Sequence, residues 1–454
     1  MSYDTFYFAA FLAVTFCLFQ LLPWKGWVLL VASAVFYSVA GLHDSLLAAA
    51  IILANYGFQF AVIQRKAFLW PVLAVNFGCL AYFKYRAFFA HAAGLDLFSG
   101  GIIIPLGISF YIFQLSAFVI DLAHGKAEPF RSLAKFTLFK LFFGQLVAGP
   151  IMRWSRFGPQ IDRLFDKGRA RPQLISLGLG LCVLGLFKKI ILADSLAPIV
   201  DSIFSQGPSD PATAWLGAWL FGFQIYLDFS AYSEMALGLG FLFGLRLAIN
   251  FRQPYLVRNP LQFWRHWHIT LSRWIQDYLY IPLGGRSGSP LRQGAVLVLV
   301  MSLAGLWHGP NWTFIAWGLG WALLTVTWRF GGSLLARLGP FEWALTLALV
   351  MILWVFFRAS DLREAVLFIA TMFGGAPSGD YTLPSAYFDR LLILTGASGL
   401  LALHAGERWL FSAAQVRRMI RFDGPFLRAL LLGLALLLVM VPKTAGNPFI
   451  YFRF

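Results

Sequence analysis

The chain has 454 residues, of which 59% are hydrophobic, 17% aromatic and only 12% charged. A soluble domain carries about 25% charged residues, so this balance excludes an ordinary water-soluble globule and points to an integral membrane protein. The net charge of +16 comes from basic residues set between apolar runs; positive-inside anchoring accounts for them, and no nucleic acid is needed as a partner.

Met1-Ser2-Tyr3-Asp4 lacks a positive n-region, and no small-residue cleavage site follows Phe6 to Leu22, so the first apolar run reads as a retained helix. Runs long enough to span or nearly span a bilayer fall at 5–22, 26–41, 45–63, 67–83, 101–122, 132–151, 174–192, 213–229 and 233–245. They continue at 291–307, 311–328, 341–357, 390–404 and 427–441. Some are short or interrupted, so the expectation is an all-α polytopic membrane protein of roughly eleven transmembrane helices plus re-entrant or in-plane pieces. No internal repeat or long polar linker marks a second domain, and residues 1–454 read as a single membrane domain. Cys17, Cys79 and Cys182 lie far apart inside apolar segments without CxxC spacing, so neither a disulfide framework nor a zinc site follows.

Charge bias sets the orientation. Arg153, Arg156, Arg163, Lys167, Arg169 and Arg171 share one connection, and Arg246, Arg252, Arg258, Arg265, Arg273, Arg286 and Arg292 flank the central stretch. The connections holding Asp194, Asp201 and Asp210, or Asp380 and Asp389, carry almost no Lys or Arg until Arg390. The first set is therefore expected on the cytoplasmic side and the second outside.

Between the runs at 213–229 and 233–245 sits Asp228-Phe229-Ser230-Ala231-Tyr232-Ser233-Glu234. Two carboxylates so close to apolar helices are costly in lipid, so they are expected to face a cavity or to pin a helix break through arginine or backbone hydrogen bonds.

The organising stretch runs from Phe263 to Gly318. Residues on a helix advance about 100° each, which places Trp264, Trp267, His268, Leu271, Ile275 and Tyr278 on one aromatic stripe, with His266, Arg273 and Asp277 opposite. The two-residue spacing of His266 and His268 points them apart, so no metal is expected. His308 follows an apolar run and precedes another across Gly309-Pro310-Asn311, a break tolerated at membrane depth only where it is buried in protein or lines a wet cavity. Its alternatives are an interfacial side chain bonded to a carbonyl and a functional imidazole.

These residues resemble a known family. Phe263-Trp264-Arg265-His266-Trp267-His268-Ile269-Thr270-Leu271-Ser272, Asp277-Tyr278-Leu279-Tyr280-Ile281-Pro282-Leu283-Gly284-Gly285 and Gly305-Leu306-Trp307-His308-Gly309 are similar to blocks of the membrane-bound O-acyltransferases, in the branch of alginate O-acetyltransferases and related polysaccharide acetylation proteins. Pro105–Tyr111, Gln145–Arg153, Gly185–Lys189 and Asp228–Gly238 follow in the family's order, so the resemblance covers about residues 100–320 as a catalytic core. Ala231 stands where the branch usually has glycine and Glu234 where it has aspartate. The branch that moves D-alanine onto teichoic acids shares the Trp-His signatures but usually lacks the Tyr-Ile-Pro-Leu-Gly-Gly ending. The resemblance implies a helical fold around a central passage, with His308 as the near-invariant histidine and His268 as the second.

It further implies a multi-pass protein of the bacterial inner membrane that passes an acyl group, most simply acetyl, from a cytoplasmic donor to an exported polysaccharide or to an extracytoplasmic acetyltransferase partner. Acetyl-CoA or another acyl thioester is the expected donor, with no bound cofactor. Acyl transfer to a hydroxyl needs a proton acceptor, for which a neutral imidazole is suited, and donors for the oxyanion. His308 is the expected base, in a site kept dry by Trp307, Trp312 and Trp317, with Asn311 or a nearby backbone N–H at the oxyanion. His268 either lines the donor entry or packs within its helix. Trp264, Ser272, Asp228, Tyr232, Trp307 and Asn311 are candidates along the passage. Ser272 lies four residues after His268 but lacks an orienting carboxylate, so direct transfer, or relay through a partner protein, is preferred over a stable acyl-enzyme. The arginines Arg153, Arg258, Arg265 and Arg273 suit a phosphate-bearing donor, although topology explains most of them. The rival classes are a transporter or flippase for a glycan or lipid precursor and a scaffold of an export complex; a transporter usually shows internal repeats, and none is found.

Overall fold

The computed structural model describes residues 3–95, 104–146, 149–165, 172–382 and 399–407. The run at 427–441, most of that at 390–404, and Lys167, Arg169, Arg171, Asp389 and Arg390 lie outside the described residues. The chain proceeds through α1 (Phe6–Leu21), α2 (Lys25–Ser38), α3 (Leu42–Gln64), α4 (Leu69–Leu80), α5 (Arg86–Ala92), α6 (Ile108–Ala123), α7 (Leu133–Leu141), α8 (Trp154–Phe165) and α9 (Pro172–Phe187). It continues with α10 (Asp194–Gln206), α11 (Pro211–Leu242), α12 (Pro260–Phe263), α13 (Ile269–Ile275), α14 (Pro290–His308), α15 (Trp312–Leu335), α16 (Phe341–Arg358) and α17 (Leu362–Met372). A π-helical turn over Lys188–Ala193 joins α9 to α10. Among the described residues the only extended pairing is one isolated parallel bridge, Pro208 to Tyr381. Among the described residues, five helical stretches are long and apolar enough to cross a membrane: Leu42–Gln64, Lys66–Ala92, Ile175–Gln206, Pro290–His308 and Phe341–Arg358.

The chain forms two compact units. The first takes residues 1–186 and 232–249. Its polar interior is paired as lipid requires: Asn55 and Asn76 exchange amide hydrogen bonds of 2.8 and 3.0 Å. Among the described residues of the run expected at 132–151, only those of α7 are helical. Farther on, α8 buries Phe157, Ile161 and Leu164 and leaves Arg156 and Arg163 outward, the pattern of an interfacial helix.

The second unit takes residues 187–231 and 250–454. Its core is aromatic: Trp267, Trp317, Trp321 and Trp354 are all buried. Two expectations are corrected. The runs at 213–229 and 233–245 form one helix, α11, of 32 residues, about 48 Å long at 1.5 Å per residue. Asp228 does not interrupt it because the Lys189 ammonium, 2.7 Å away, meets the carboxylate. Conversely, the continuous stripe expected from Trp264 to Tyr278 is broken: α12 ends at Phe263, residues 264–268 turn, and α13 starts at Ile269. The turn is held by Asn250, whose carbonyl accepts from the Ile269 N–H at 2.9 Å and whose side chain accepts from the Thr270 hydroxyl at 2.7 Å.

Candidate active site

α14 and α15 form a hairpin whose backbones nearly touch. A Cβ on Gly305 would lie 2.1 Å from the Phe314 carbonyl oxygen, and one on Gly318 would lie 2.3 Å from that of Met301. Only glycine permits this approach. It sets His308, the last residue of α14, beside the first turns of α15. Asn311 caps α15 by accepting from the Thr313 N–H at 3.0 Å, while its amide donates to the Ser360 carbonyl at 2.8 Å. The hairpin tip is thereby tied to the end of α16.

His308 is 5% exposed. Its ring meets those of Trp307, Trp317 and Phe357 at centroid distances of 5.0, 5.0 and 5.1 Å, each near perpendicular. His268 is fully buried and precedes α13 in the left-handed region, with φ of 40°. That conformation is sparsely populated for a non-glycine residue and is a mark of functional or tightly determined positions. The His268 ring stands 4.7 Å from Phe229 and 6.1 Å from Trp307. Trp307 thus carries an imidazole on either side. Burial pushes the His268 imidazole down to about 3, so it is uncharged at neutral pH. Around this pair the indole N–H groups of Trp264, Trp317, Trp321 and Trp354 are buried with no acceptor among the described residues. An indole nitrogen only donates, so the wall presents donors and no competing base.

The other sequence-derived candidates scatter. Trp264 packs edge-on against Trp321 at 4.8 Å and Trp317 at 5.9 Å, within the aromatic wall. The Ser272 hydroxyl donates to the Trp267 carbonyl at 3.1 Å, which commits it to the turn. Asp228 is paired with Lys189, which also reaches Asp194 at 2.8 Å. Tyr232 belongs to the first unit, where its ring stacks on Tyr3 at 4.6 Å. Trp312 is 52% exposed and does not shield His308; Phe357 and Trp354 belong to the wall in its place. Phe357 lies beyond the motifs, so no local signal singles it out. Lys189 sits in the Lys188-Lys189 pair, whose charge inside an apolar run was the available signal. Lys188 pairs with Glu407, which also accepts from the Tyr226 hydroxyl at 2.6 Å and meets His404 Nδ1 at 3.1 Å.

An imidazole held among buried indole donors at the end of a membrane-length helix has the chemistry to take a proton from a hydroxyl. The model of the MBOAT, membrane-bound O-acyltransferase family matches residues 130–357, and the chain belongs to that family. The chain is 38% identical over 414 residues to "Probable alginate O-acetylase AlgI" of Azotobacter vinelandii, covering 86% of this chain and 81% of the relative. It is 35% identical to "Peptidoglycan O-acetyltransferase" of Helicobacter pylori, over 77% of this chain and 74% of that one. With "Teichoic acid D-alanyltransferase" of Streptococcus thermophilus the identity is 27%, over 47% and 54%. The protein is accordingly a membrane O-acyltransferase, and the family match runs past the recognisable motifs as far as Phe357.

Proposed function

We propose that the protein transfers an acetyl group from a thioester donor, such as acetyl-CoA, supplied from the cytoplasm, to hydroxyls of an exported polysaccharide in the bacterial inner membrane, directly or through an extracytoplasmic partner. The observation that carries this reading is His308, buried at the end of α14 between Trp307, Trp317 and Phe357. The opposite end of α14 is bordered by Arg286 and Arg292, and under the positive-inside rule His308 then lies toward the outer side of a roughly eleven-span fold. The relatives whose names specify O-acetylation of alginate and peptidoglycan support a glycan acceptor.

In this mechanism a ring nitrogen of His308 takes the proton of the acceptor hydroxyl as its oxygen bonds to the thioester carbonyl carbon. The carbonyl electron pair moves onto oxygen, where buried indole N–H donors such as that of Trp317 stabilise it. The intermediate collapses, the carbon–sulfur bond breaks, and the proton passes from His308 to the departing sulfur. The Asn311 amide, held on Ser360, keeps the hairpin in place. His268 stays neutral and fixes Trp307 from behind.

His308→Ala, purified in membrane-mimetic form and eluting as the wild type does, is expected to lose acetyl transfer by a factor of about 100 to 10,000. Near-normal transfer by that variant removes His308 from the mechanism. Substrate movement across vesicles without transfer would favour the transport reading.

A further inference from the structure

One edge of α8, in the first unit, gathers positive charge. Arg156 and Arg163 stand seven residues apart, so their side chains leave the helix within about 20° of each other, and both are exposed. Gln160 lies between them on the same edge. Its side-chain oxygen accepts from the Arg246 N–H at 2.7 Å, and its amide donates to the Arg246 carbonyl at 3.1 Å. This two-point clamp fixes the backbone of Arg246, also exposed, beside the other two arginines. Among the described residues no carboxylate meets any of the three guanidinium groups. Asp162, the acidic residue of α8, is held instead by the Lys135 ammonium at 2.7 Å. Arg163 uses only its Nε, which donates to the Pro159 carbonyl at 3.2 Å, and keeps the two terminal nitrogens of its fork.

This edge lies at the level of lipid headgroups. Phe165, the last residue of α8, packs edge-on against Trp27 at 5.7 Å, and a Cβ on Gly26 would fall 2.6 Å from its ring. α8 therefore ends against the turn between the apolar helices α1 and α2. At that turn Trp24 and Trp27 are 66% and 53% exposed, and exposed indoles between two apolar helices mark the membrane interface. The basic connection that begins at Arg153 sets this interface on the cytoplasmic side. The apolar face of α8 is turned into the protein, with Phe157 against Phe139 and Phe142 at 6.1 Å each. Charge, and no apolar wedge, is what the helix offers the membrane.

We propose that this edge is a docking site for the phosphate headgroup of an anionic glycerophospholipid in the cytoplasmic leaflet, held by Arg156, Arg163 and Arg246. A guanidinium fork matches two phosphate oxygens at once, and the cytoplasmic leaflet carries the negative potential that attracts such groups. A zwitterionic lipid brings its own ammonium to the same three cations and is disfavoured. The positive-inside bias accounts for arginines on this side of the membrane. It does not account for a glutamine that ties the third arginine to the edge formed by the other two. The site is independent of acyl transfer.

The test titrates full-length protein in neutral detergent with dioleoylphosphatidylglycerol, dioleoylphosphatidylcholine and inorganic phosphate, counting bound lipid by native mass spectrometry. The wild type is expected to bind phosphatidylglycerol at least tenfold more tightly than phosphatidylcholine. Arg156→Gln with Arg163→Gln is expected to weaken phosphatidylglycerol binding at least tenfold, in keeping with about fivefold per cation at an anionic surface. Should that pair aggregate, Arg156→Lys with Arg163→Lys keeps the charge, removes the fork and is expected to bind about threefold more weakly. Gln160→Leu leaves the net charge unaltered and is expected to weaken binding about threefold by releasing Arg246. Arg286→Gln with Arg292→Gln removes two exposed charges from another basic connection and is expected to stay within about twofold of the wild type. Equal losses in the two glutamine pairs reduce the effect to diffuse surface charge and overturn the site. So does phosphatidylglycerol binding that is no tighter than that of phosphatidylcholine, or that Gln160→Leu leaves unaltered. Displacement of the lipid by millimolar phosphate also overturns it, in favour of a site for water-soluble phosphates.

Discussion

Trp307 separates two imidazoles that differ in what they can do. His308 ends a helix beside indole donors, whereas His268 is sealed, in a left-handed backbone position. Because burial holds the folded His268 near 3 while the unfolded residue titrates near its ordinary 6.5, protons bind the unfolded chain first as pH falls. Stability from this group is therefore full above about 6.5 and declines as pH falls below it. Thermal unfolding of the wild type is expected to drop from pH 6.5 to 4.5 more steeply than that of His268→Gln; equal slopes would show that the imidazole titrates as in water. In the sequence His308 stands out as an ionisable ring after an apolar run, and His268 as part of the Trp-His block that carries the family resemblance. Phe357 does not, since a phenylalanine in a span carries no chemical mark until a fold brings it against His308.

At the scale of elements, the α14–α15 hairpin is the platform of the site, and its contact rests on two glycines. Gly305→Val is expected to destabilise the protein by about 1–3 kcal/mol through forced separation of the helices and to lower transfer with it. Gly331, in the same α15 with no atom within 4 Å of its would-be Cβ, serves as the contrast: Ala there is expected to gain up to about 1 kcal/mol. Detergent-phase thermal shift distinguishes the two. The hairpin itself could be read from its apolar runs and the Gly-Pro-Asn break. The stretch from Trp264 to Tyr278 was misread as one helix because apolar periodicity says nothing about Asn250, which captures the backbone of Ile269 and Thr270. α11 was misread in the opposite sense, since the charge of Asp228 looks like a break until Lys189 is placed beside it.

At the scale of the molecule, the segment 399–407 is joined to the rest of the second unit by charge. Glu407, 4% exposed, gathers Lys188, Tyr226 and His404, and the Tyr255 N–H donates to the far nitrogen of His404 at 3.3 Å. Glu407→Ala removes the carboxylate from a buried cation and is expected to cost about 3–5 kcal/mol, read as earlier unfolding in a denaturant titration. No sequence pattern links Lys188 to a residue more than two hundred positions later. The polytopic helical class was legible throughout, because composition alone determines which solvent the chain must satisfy.

Phe357 and Arg358 have one further implication. Neighbouring side chains on a helix diverge by about 100°, so a single turn of α16 sets Phe357 against the His308 ring and Arg358 on the wall of a cavity beside Phe204. A substitution at Phe357 is therefore expected to disturb the packing around the histidine, whereas one at Glu364 or Leu367 on α17, which line the cavity, leaves that packing as it is.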